Sequence, residues 1–134
     1  CCLLSTMTTQ QRRLEEKDQA VCGDAQAVID LYYDAMDRKR EKIGHLYVDV
    51  VATMVWNGNV YEGQENIFKF INSLPMTDHK VESLDAQRLP AIAETADLPE
   101  GIIVQSAGTV VVGVTTHAFV QNFVLVNEDG KFKV

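Results

Sequence analysis

The sequence predicts an α+β domain: a curved antiparallel β-sheet covered on one face by about three helices. Three observations predict it. A long helical stripe of apolar residues comes first. A two-residue Asn-Gly hairpin and a short helix follow. The second half then carries three long strand patterns with apolar residues on both faces.

The first helix is expected over residues 15–38. Val21, Ala25, Val28, Tyr32 and Ala35 recur at steps of four and three, and Ile29, Tyr33 and Met36 widen the stripe. Asp30, Asp34 and Asp37 share another face, which reads as solvated surface. Arg38-Lys39-Arg40-Glu41-Lys42 suits the negative end of the helix dipole better than a nucleic-acid patch or localisation signal, being short and isolated in an acidic chain. Residues 43–49 suggest a second, short helix interrupted by Gly44.

Residues 53–56 and 59–62 are β-prone, and Asn57-Gly58 between them signals a type I′ turn, which needs positive φ at both central positions. Gly63 breaks the pattern. Ile67, Phe68, Phe70, Ile71 and Leu74 then follow helical spacing over residues 64–74, ended by Pro75. Strands are expected over 79–89, 102–112 and 117–126, with a loop over 90–101. A turn at 127–130 leads into a last strand from Lys131. Residues 1–14 are polar and read as a flexible segment ahead of a single domain over 15–134.

The chain carries a net charge of −7 over 134 residues. Such an acidic domain repels phosphate, so specific direct RNA binding is not expected. No apolar run approaches the length of a membrane span. The cysteines at 1, 2 and 22 are odd in number and lack metal-ligand spacing. Neither a disulfide framework nor a zinc site is expected, and a reducing compartment fits. No phosphate-binding glycine loop is present, so no cofactor is implied.

Val55-Trp56-Asn57-Gly58-Asn59, followed by Gly63-Gln64-Glu65, resembles the nuclear transport factor 2-related export protein (NXT) family, of nuclear transport factor 2-like fold. The likeness continues through Asp85-Ala86-Gln87, Ala107-Gly108-Thr109-Val110 and Gln121-Asn122-Phe123, covering Val21 onwards. It implies a non-catalytic adaptor that heterodimerises with the transport factor 2-like domain of an NXF-type mRNA export receptor. The complex would bind phenylalanine-glycine nucleoporins and shuttle between nucleus and cytoplasm. The family completes its last strand with an aromatic, arginine-containing segment that helps bind the partner. This sequence stops at Val134, so the last strand is expected to be incomplete and those contacts are not carried over. The nearest alternative is transport factor 2 itself, a homodimeric carrier of Ran-GDP.

The fold also hosts small-molecule enzymes, for which the candidates are Asp85, His45, His79, His117, Tyr32, Tyr47 and Trp56. No pair matches a known catalytic dyad. His79 and His117 read as surface residues and Trp56 as buried core, so no enzyme is expected. The partner interface is expected on the open face of the sheet. In the third long strand Phe119, Gln121, Phe123 and Leu125 alternate with Val120, Asn122, Val124 and Val126. The aliphatic set suits packing under helices. The aromatic set suits an interface, with Asp85, Gln87 and Arg88 supplying polar contacts.

Overall fold

The computed structural model describes residues 9–48, 52–89, 101–128 and 131–134. Residues 1–8, most of the expected loop over 90–101 and the tip of the turn at 127–130 lie outside the described residues. Helix α1 spans Thr9–Arg38, so the helix already covers residues 9–14 of the segment expected to be flexible. A 3-10 helix, Arg40–Leu46, follows, then strands β1 (Thr53–Trp56) and β2 (Asn59–Glu62). Helix α2 (Gln64–Ser73) leads to β3 (Thr77–Arg88), β4 (Gly101–Val112), β5 (Thr115–Glu128) and β6 (Lys131–Lys133). The β1–β2 hairpin is a separate two-stranded sheet. The other four strands form an antiparallel sheet in sequence order.

The apolar stripe of α1 decides how the layers stack. Val21, Ala25, Ile29, Tyr32, Tyr33, Ala35 and Met36 are all buried. They meet the inner sheet face, where Ile102, Val104, Phe123 and Leu125 are buried too. The hairpin turns as its dipeptide requires, with φ of 47° at Asn57 and 85° at Gly58. Trp56 is half-buried at the edge of the core, with its ring centroid 5.5 Å from that of Phe70. It is therefore a rim residue and not the deep core tryptophan expected.

The basic run after α1 is absorbed locally. Arg38 and Lys39 approach Asp34 at 3.8 and 3.3 Å. The Arg40 guanidinium donates to the carbonyls of Met36 at 2.9 Å and of Leu74 and Pro75. It thus ties the end of α1 to the loop that enters β3.

The β3–β4 register shifts between Val81 and Ser83, so the strand bulges there. Gly108, opposite Val81, lies so close to β3 that a Cβ would sit 1.9 Å from the Lys80 carbonyl oxygen. At Gly101 the nearest obstacle, at 2.5 Å, is the far end of the Leu89 side chain, which can move. Gly108→Ala should therefore cost about 3 kcal/mol or more, lowering Tm by roughly 10 °C. Gly101→Ala should cost clearly less. Thermal unfolding of the two variants followed by circular dichroism checks the difference.

Candidate functional site: the outward sheet face and the filled cone

Strand register sorts the side chains of the sheet. Ser106 pairs with Gln121, Val104 with Phe123 and Ile102 with Leu125. These pairs point inward under α1. Phe123 is only 2% exposed, and its ring centroid lies 4.9 Å from that of Tyr32. Phe119 and Gln121 are half-buried on the same side, with the Phe119 ring 5.6 Å from Tyr33. This corrects the expectation from the sequence. Phe119, Gln121, Phe123 and Leu125 form the roof of the core and no open surface. The physical reason is hydrogen-bond demand. The Tyr33 hydroxyl donates to Gln121 Oε1 at 2.9 Å and lies 2.8 Å from Ser106 Oγ. An amide on the inner face therefore has a buried partner, which its sequence position alone did not reveal.

The aliphatic set faces outward instead. Val120 and Val124 are 67% and 54% exposed. Ile103 and Val111 on β4 are exposed as well, with Ile103 paired to Val124. Between the apolar rows runs a polar row across three strands, Asp85 opposite Gln105 and Gln105 opposite Asn122. Asp85 and Gln87 are exposed on this outer face, in register with Gln105 and Ile103. Arg88 is exposed but pairs with the inward-facing Ile102, at the end of its strand. The seven residues chosen from sequence thus divide between two faces. That choice left out Ile103, Gln105, Val120 and Val124 on the outer face; alternation was visible in the third long strand, which holds Val120 and Val124, and not in the second.

The cone where related folds keep active sites is filled. Tyr32 and Tyr47 hydroxyls are 2.8 Å apart, and Gln121 Nε2 reaches the Tyr32 oxygen at 3.5 Å. Tyr47 also donates to Met54 Sδ at 3.8 Å. Among the described residues no buried side-chain nitrogen or oxygen lacks a partner, and no group of acidic, histidine and cysteine side chains could hold a metal. His45, His117 and Asp85 are exposed and converge on nothing in this network.

His79 departs from expectation. Its side chain is 5% exposed and its Nδ1 lies 2.6 Å from Asp37 Oδ1. Asp37 also accepts from the Thr77 hydroxyl and the His79 backbone N–H, both at 2.8 Å. So Asp37 is not solvated surface either; it fastens the last turn of α1 to the start of β3.

A long helix against a curved antiparallel sheet, with a filled cone and an apolar outer face, defines a nuclear transport factor 2-like domain. The family model for the nuclear transport factor 2 (NTF2) domain matches residues 24–134. The solved structure of nuclear transport factor 2 from Cryptosporidium parvum superposes with a TM-score of 0.72 at 23% identity, over 84% of this chain and 87% of that one. A putative scytalone dehydratase from Novosphingobium aromaticivorans gives 0.69 at 15% identity, over 88% and 81%, a likeness of fold alone. An NTF2-related export protein of Caenorhabditis elegans is 46% identical over 98% of this chain and 93% of its own length. NTF2-related export protein 2 of Homo sapiens is 36% identical over 81% and 74%. The chain belongs to the NTF2-related export protein family, and with that comes a role in nuclear export.

Burial pushes the Tyr32, Tyr33 and Tyr47 phenols well above the ordinary tyrosine value. Below about pH 10 folded and unfolded chains both keep these protons. Above it the unfolded chain loses them first, so stability falls as pH rises. Alkaline titration should show these three tyrosines failing to develop tyrosinate absorbance until the chain unfolds. Tyr32→Phe should cost about 1–2 kcal/mol in neutral buffer, by removing a hydroxyl that bridges Tyr47 and Gln121.

Proposed function

We propose that the protein is a non-catalytic adaptor in nuclear mRNA export. It heterodimerises with the transport factor 2-like domain of an NXF-type receptor and supports that receptor's binding of phenylalanine-glycine nucleoporins. RNA is carried by the receptor and not by this acidic chain, which shuttles with it between nucleus and cytoplasm. The observation that carries this reading is the outward face of the sheet. Val120, Val124, Ile103 and Val111 are exposed there on adjacent strands. The helices already cover the other face, so an aliphatic surface of this kind is best covered by a second protein. The polar row Asp85–Gln105–Asn122 would fix the register of that partner. The adaptor reading is also supported by the cone, where the Tyr32, Tyr33, Tyr47, Ser106 and Gln121 side chains bond to one another.

Val120→Glu and Val124→Glu leave the core untouched, because both side chains already face solvent. Docked against a partner, each would bury an unpaired charge, costing about 3–5 kcal/mol, a hundredfold or more in Kd. Size-exclusion chromatography of the co-expressed receptor domain should show the heterodimer lost while circular dichroism stays that of the unaltered chain. Phe123→Glu should instead fail to fold. Co-elution of both folded valine variants at unaltered affinity would show that the receptor binds elsewhere.

A further inference from the structure

A groove of about 520 Å³ runs between α1 and β3. It lies along the β3 edge of the sheet, beside α1, and its lining does not include Ile103, Gln105, Val120 or Val124. Five carboxylates line it, those of Asp30, Asp34, Asp37, Asp78 and Glu82, against two cations, Arg38 and Lys80. Asp34 is occupied by Arg38 and Lys39, and Asp37 by Thr77 and His79. Among the described residues Asp30, Asp78 and Glu82 are in no ion pair, so the groove holds excess negative charge.

The second observation is the ring of His79, which lines the same groove. A carboxylate has no proton to give, so Nδ1–H is the donor in the 2.6 Å contact with Asp37. In the neutral ring Nε2 is then fixed as an acceptor. It makes no hydrogen bond among the described residues, although the side chain is 95% out of solvent. No fully buried side-chain nitrogen lacks a partner, so Nε2 keeps a small opening to solvent, and the groove is what the ring lines. The Tyr33 ring, 4.8 Å from that of His79 and tilted by 32°, makes the wall beside it. While the ring is neutral, an acceptor at the floor, carboxylates at the rim and the Tyr33 ring beside them suit a planar cation with several N–H donors.

We propose that this groove receives an arginine side chain from a short basic segment of a partner protein. A guanidinium presents donors in a rigid fork, so it can reach Nε2 and a carboxylate at once, and it stacks on aromatic rings. A lysine ammonium is a point charge that sheds water less readily and offers no flat face. Phosphate and nucleic acid are repelled by the same carboxylates.

The test uses the full chain and a labelled eight-residue peptide alternating arginine and serine, with a lysine–serine peptide beside it. Fluorescence anisotropy measures affinity, and imidazole ¹⁵N spectra follow the histidines. The arginine peptide should bind saturably and bind several-fold tighter than the lysine peptide. His79 Nε2 should shift, while the exposed His45 and His117 stay unmoved. The double variant Asp30→Lys/Glu82→Lys alters exposed residues and should weaken binding roughly tenfold or more. That variant should still bind the receptor domain, so failure here and failure of the adaptor reading are separate results. No saturable binding, unaltered affinity in the double variant, or an unmoved His79 Nε2 would each overturn the site. Equal affinity for the lysine peptide would overturn the choice of arginine.

Discussion

The hydroxyl of Tyr33 settles which way the sheet faces. It meets Ser106 on β4 and Gln121 on β5, two residues paired across the strands, so one helical side chain holds one row of the ladder. A strand slipped by one residue would exchange every inward side chain for an outward one. Ser106 or Gln121, whichever strand slipped, would then move to the surface and take one buried partner from the Tyr33 hydroxyl, a loss of about 1 kcal/mol before any packing is counted. The apolar contacts of Phe123 and Leu125 give the core its area. The hydroxyl makes one register the cheapest.

That constraint also shows where the sequence was readable. The apolar stripe of α1, the Asn57-Gly58 turn, the α2 segment and the three long strands were legible, because each is a local pattern. The two alternating sets in β5 were legible as sets, but their direction was not. Valine fits a buried or an exposed pleated surface equally well, whereas the preference of Gln121 for the inside depends on a tyrosine 88 residues away in sequence. Weighing aromatic against aliphatic content pointed the wrong way, since the aromatic rings are what the tyrosines of α1 pack upon.

The same distance problem hid Asp37 and His79, 42 residues apart. Read locally, one was part of a solvated acidic face and the other a residue near a turn. Together they are a buried pair that joins two elements. Arg40 is a parallel case: it looked like one charge in a basic run, yet it is spent on backbone carbonyls at the mouth of β3. Charge runs are read most safely after asking which carbonyl ends and carboxylates the fold brings near them.

The fastening of β3 has a consequence for assembly. β3 is the outermost strand of its sheet, the usual place for uncontrolled pairing with another chain. Asp37 caps the backbone N–H of His79, and the bulge at Val81–Ser83 breaks the regular spacing an incoming strand would need. The rim is thus guarded against added strands, and the exposed Ile103, Val111, Val120 and Val124 lie on the face of the sheet instead. Association through a face is limited to what that face fits, whereas growth by an open rim leads to fibres.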